Sequence, residues 1–313
     1  MSEEIHVKFA NLEEARELLG AHDEYVSRLS RFDCSAKLQV CNPRTEVTRD
    51  EYCEHAAKQA LHWDSEEKIM IIEALRSIEQ NLVLFPLPLP NIVTFVLTSG
   101  EEEAGAAYTR GQAVFLSKSI LHGHLNLPKL LAHELVHIAS RIEPTWREAI
   151  NLAIGFHSCP EPEFPEGFRS RMIANPDAPF LDHCILVTHK GNLKWGMPVI
   201  YSLYPYRGGS FFRYITVGFV FLNRSVDASS DTPSILEEPL NAAPIDELEG
   251  FYEQIGRNTT YIMHPEETLA DNIAFLLIGK EDLPSPEISS KLADVINDFS
   301  PQRYSNGVHF SQL

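Results

Sequence analysis

The chain has 313 residues, 44% of them hydrophobic, and a formal net charge of −18. That length and apolar content suffice for a large core, in one domain or two smaller ones. The acidic balance excludes a basic, sequence-independent grip on nucleic acid, and the most apolar stretch, residues 211–222, is too short to span a bilayer and carries Arg213.

The N-terminal twenty residues carry acidic groups early and lack the apolar core and cleavage site of a secretory signal. Residues 11–30 and 50–83 read as helices. The second carries a capping signature at Asp64-Ser65-Glu66-Glu67 and is stopped by the proline cluster of residues 85–90. Residues 92–98 (IVTFVLT) read as a strand from their β-branched content. An acidic turn follows at 100–103, and then a second strand at 112–117, suited to lie beside a substrate cleft. Residues 127–142 are the clearest helix. Pro128 sits in its first turn, and Leu127, Leu131, Leu135, Ile138 and Ile142 form one apolar stripe, with Pro144 closing the element.

Beyond it, residues 159–169 read as a loop rich in proline and glutamate. Strands are expected at 184–189, 197–203 and 211–222, a polar linker at 223–244, and helices at 245–255, 265–279 and 286–298. The order is that of an α+β protein. Three segments are expected: 1–150 with the N-terminal helices, sheet and the 127–142 helix; 151–244 as a β-rich insertion or second lobe; and 245–313 as a helical end. The five cysteines (Cys34, Cys41, Cys53, Cys159 and Cys184) are odd in number with no tight pairing pattern, which suits a reduced cytoplasmic protein. Export by a route without a classical signal is the alternative.

His133-Glu134-Leu135-Val136-His137 is an HExxH sequence. On a helix, residues four apart share a face, so both imidazoles can reach one ion. Glu134 stands beside the first histidine and can abut an activated water without binding the metal itself. A third ligand is needed. Glu143 follows the motif closely, but a continuing helix points it away. The stronger candidate is Glu267, in YIMHPEETLADNIAF, where Pro265 marks a helix start and Asp271 lies one turn beyond the glutamate. A ligating histidine needs its other ring N–H fixed by an acceptor, and Asp271 can supply one. Glu266 would put Ala270 at that partner position, so Glu267 is preferred.

This pair of motifs, HExxH followed by ExxxD, resembles the gluzincins such as the thermolysin-like peptidases. The resemblance implies a zincin-like core, Zn2+ held by His133, His137 and Glu267, Glu134 as general base and Asp271 as partner of His133. It implies a peptide or protein substrate, while the acidic charge and the lack of a spanning stretch lead to the expectation of no nucleic-acid or membrane partner. The segment before Glu267 also resembles that of the anthrax lethal factor group, where an upstream tyrosine faces the developing oxyanion. Tyr261 is the counterpart, with Tyr304 and His309 as rivals because other gluzincins place this donor later. The resemblance covers the two metal helices, with the helix and strands of residues 64–120 as a candidate extension. The gap between His137 and Glu267 is far longer than in thermolysin-like enzymes.

Other readings stay open beside this one: a non-catalytic module that keeps the fold, or a hydrolase of a non-peptide amide. His122, His124 and His183 are expected to be ordinary loop or strand-entry histidines. Trp195, Tyr201, Tyr204, Tyr206 and Tyr214 are expected to be core aromatics of the middle segment, with a substrate groove as the alternative.

Overall fold

The computed structural model describes residues 3–123, 126–223, 234–235, 242–299 and 307–313. Helices and strands are mixed in an α+β arrangement around two sheets. The first sheet has five strands in the spatial order Val308–Gln312, Glu3–Phe9, Ile92–Thr98, Ala113–Ser117 and Tyr108–Arg110. Its first four strands run parallel to one another and the last is antiparallel to its neighbour. The second sheet is antiparallel and is built mainly from Phe156–Ser158, His183–His189, Asn192–Tyr201 and Thr216–Asn223.

The helical region expected at 11–30 divides into Leu12–Leu19 and Glu24–Arg28, because Asn11 and Asp23 each cap a new start with a side-chain oxygen. A further helix, Arg31–Lys37, opens on a capping box between Ser30 and Asp33. The region 50–83 divides likewise into Arg49–Ala57, Ser65–Arg76 and Glu79–Leu84. The capping box at Asp64 and Glu67 is present as read. The segment before it instead touches the first sheet, with Leu61 N–H donating to Leu97 C=O. Pro144 ends one helix and starts the next, Pro144–Ala153, because a proline in a first turn loses no hydrogen bond. Residues 211–214 form a 3-10 turn ahead of strand Thr216–Asn223. Only Phe251–Ile255 of the helix expected over 245–255 is α-helical. Most of the 223–244 linker lies outside the described residues.

One apolar cluster runs from Ile5 to Phe310 and draws on all three sequence segments. It holds Leu131, Leu135 and Ile138 of the Leu127–Ile142 helix, here the motif helix, and Leu269, Ile273 and Leu277 of Pro265–Leu277, here the glutamate helix. These two helices pack side by side, with Ser65–Arg76 and Pro144–Ala153 also against the motif helix. As a result, every residue from Leu131 to Ser140 is buried, the histidine face included. The amphipathic pattern indicated one buried face, whereas the glutamate helix covers the other. Trp195, Tyr201 and Tyr206 are buried and Tyr214 is partly buried in smaller clusters of the middle segment. Tyr204 is exposed.

Candidate metal centre

Helical spacing places His133 and His137 one turn apart, and their Nε2 atoms are 3.1 Å from each other. Glu267, in the first turn of the glutamate helix, puts Oε2 at 3.1 Å from His133 Nε2 and 3.6 Å from His137 Nε2. All three side chains are buried. The start of the glutamate helix is fixed by Pro265 in its first turn and by His264, whose Nδ1 accepts from Glu266 N–H. Burial pushes the His264 imidazole down to about 4, so it is neutral and able to accept.

Asp271, one turn beyond Glu267, has Oδ1 at 3.0 Å from His133 Nδ1. The same carboxylate accepts from Lys129 Nζ at 2.7 Å and from Thr259 Oγ1 at 2.5 Å. An acceptor at Nδ1 keeps a proton there and aims Nε2 at the point where His137 and Glu267 converge. Glu267 Oε1 accepts from Asn175 Nδ2 at 2.6 Å, which holds the carboxylate from its far side. Glu134 is buried, and its Oε2 has no hydrogen-bond partner among the described residues. The same is true of Nδ1 of His137, so the anchoring that His133 enjoys is not repeated there.

The electrostatics show a cluster short of positive charge. Burial disfavours a charged His133, yet the hydrogen bonds that the ring donates to Asp271 and Glu267 outweigh it and lift the imidazole to about 10. His137 is raised too, with Glu267 and Asp177 overcoming burial. Burial, and then the neighbouring Asp177, pushes Glu134 up to about 8. Glu267 is held well below the carboxylate range because the two histidines, His137 foremost, outweigh its burial. Bound protons thus supply positive charge that a cation at the same place would supply instead.

The three inward-facing atoms form a triangle with sides of 3.1, 3.1 and 3.6 Å. A tetrahedral ion with bonds of about 2.0–2.1 Å needs ligand atoms roughly 3.3–3.4 Å apart. The residues present therefore fit a metal ion in size as well as in donor type, and among the described residues theirs is the one such group. His183 is engaged by Asp182 at 2.7 Å and belongs to no second group.

The centre opens onto a cleft of about 410 Å³, walled by Ala106, Ala107, Phe212, Tyr261, Glu134 and Asp177 among others. The Tyr261 ring stands edge-on to His133 at 6.0 Å between centroids. Its hydroxyl is driven upward by burial and by the carboxylates around it, Glu267 first, so it remains a proton donor at neutral pH. His309 lies on the sheet strand Val308–Gln312, with Nδ1 3.0 Å from Glu79, and is not part of the cleft wall. Tyr304 and His124 lie outside the described residues. Glu143 ends the motif helix, and its carboxylate accepts from Thr145. Glu266 points away from the centre to Ser140, Arg147 and Asn151.

One expectation is corrected. The strand beside the cleft is not 112–117. Ala113–Ser117 is paired on both sides, and the sheet edge is Tyr108–Arg110, with Ala106 and Ala107 just before it in the cleft wall. Residues that sequence reading passed over are Asn175, Asp177, Lys129 and Thr259. The only signal for the first two was the turn-rich NPDAPFLD segment, residues 175–182. No family model, curated protein or solved structure matches the chain.

Proposed function

We propose that the chain is a zinc-dependent metallopeptidase of the gluzincin type, with a zincin-like core and with His133, His137 and Glu267 as its metal ligands. The observation that carries this reading is the convergence of three buried ligand atoms, drawn from two helices far apart in sequence, beside a carboxylate that is not one of them. Two neutral imidazoles and a carboxylate form a donor set suited to zinc. A structural site has no use for Glu134, whose unpartnered Oε2 is buried at the cleft.

Zinc bound there would supply Lewis acidity, making water acidic near neutral pH and polarising a carbonyl. Glu134 then takes a proton from the attacking water as its oxygen bonds to the carbonyl carbon, and later delivers that proton to the departing nitrogen as the C–N bond breaks. Tyr261 faces the same space and donates a hydrogen bond to the developing oxyanion. Asp271 and Asn175 hold His133 and Glu267 in place and touch no reacting atom.

A mixed peptide library incubated with zinc-loaded protein and read by mass spectrometry tests the proposal. Cleavage by the wild type that stops with a chelator and with Glu134→Gln is expected. Intact peptides throughout, with zinc bound, would contradict a peptidase and favour a non-catalytic module.

A further inference from the structure

Asp177 belongs to neither metal helix, yet it forms part of the cleft wall beside Glu134 and Glu267. Its Oδ1 accepts twice from Thr109, from the main-chain N–H at 2.6 Å and from Oγ1 at 2.8 Å. Thr109 is the middle residue of the edge strand Tyr108–Arg110, so the carboxylate is anchored to the sheet. Asn175 Oδ1 accepts from the Asp177 N–H and tightens the turn, while Arg141 donates to the Asp177 main-chain oxygen. Arg141 also donates to the oxygens of Gly111, Thr109 and Pro176. No hydrogen bond from the described residues reaches Asp177 Oδ2, and the residue is half-buried. A carboxylate fixed on one oxygen and bare on the other is a preorganised acceptor.

The charge of the wall points to what it accepts. Four carboxylates stand there, Glu134, Asp177, Glu267 and Asp271, against one lysine, Lys129, already bonded to Asp271. Ala106, Ala107, Leu130 and Phe212 give the cleft an apolar wall that offers a cation no partner, so a cation bound there depends on the carboxylates.

We propose that Asp177 is a specificity-determining residue that receives a substrate ammonium group, from a free N-terminus or a lysine side chain, next to the bond cut at the His133–His137–Glu267 centre. This inference rests on the metal reading above, and its test keeps the two apart. Three zinc-chelating probes are titrated calorimetrically into zinc-loaded protein: N-acetyl-leucine hydroxamate, leucine hydroxamate and N-acetyl-lysine hydroxamate. The neutral probe reports the metal alone, the second adds an α-ammonium and the third a side-chain ammonium. At least one cationic probe is expected to bind roughly 10- to 100-fold more tightly than the neutral one, as a charge-assisted hydrogen bond implies. Which one does so identifies the source. Asp177→Asn keeps an acceptor for Thr109 and should bring the affinities of the three together, which also separates charge recognition from chelation by the amine. Equal affinity of all three for the wild type would overturn the proposal whether or not the variant folds. Failure of every probe to bind would overturn the metal reading and this inference with it.

Discussion

At the scale of single residues, position relative to the ligand triangle decides what a substitution removes. Glu134 is beside the triangle and not in it, so Glu134→Gln is expected to retain zinc while losing at least about 100-fold in turnover through loss of proton transfer. Paired metal analysis and peptide cleavage would check this, and near-wild-type turnover would show the base to be another group. Asp271→Ala removes the acceptor of His133 Nδ1 without deleting a ligand. Zinc affinity, measured by competition with a chelator, is expected to fall about 10- to 100-fold. An unchanged affinity would mean that the packing around the motif helix suffices to orient the ring. The pairs His133/His137 and Glu267/Asp271 were legible because i,i+4 spacing is a local property. Asn175 and Asp177 were not, because their place at the centre depends on a turn that meets the sheet edge at Thr109, 68 residues from Asp177 in the chain.

Between elements, the contact that fixes the centre is the packing of the glutamate helix across the motif helix. Glu266 ties that crossing together as an acceptor for Ser140 Oγ, Arg147 Nε and Asn151 Nδ2. Arg147 extends the tie into the middle segment through two 2.7 Å bonds to Asp182. Removing the guanidinium strands a buried carboxylate, so Arg147→Ala should destabilise the fold by about 3 kcal/mol or more in denaturant unfolding. Arg147→Lys should recover only part, because an ammonium cannot span Glu266 and both oxygens of Asp182. A cost below about 0.5 kcal/mol would show that Glu266 is neutralised another way. The motif helix and the glutamate helix were readable from stripe, caps and prolines. Glu3–Phe9 and Val308–Gln312 were not, since each is a short strand and they pair with one another across about 300 residues of chain. Alternation in so short a run carries little signal until its neighbour is known.

For the whole molecule, the acidic balance and the metal centre combine. Burial alone would raise Asp182 and Asp271, yet His183 and Arg147 around the first, and His133 and Lys129 around the second, hold both well below the usual carboxylate range. A depressed folded-state pKa stabilises above the unfolded value of about 4, and that stability is lost as pH falls through the folded value. The melting temperature of metal-free protein should therefore change little on these groups' account between pH 7 and about 5, then fall below about pH 4. A melting temperature that rose on acidification below that point would contradict the assignment. The most direct test of the central claim is elemental analysis of protein purified without chelator, with Glu267→Ala in parallel. About one equivalent of zinc in the wild type, lost in the variant, is the expected result. Wild-type protein that stays metal-free after zinc is added would contradict the account.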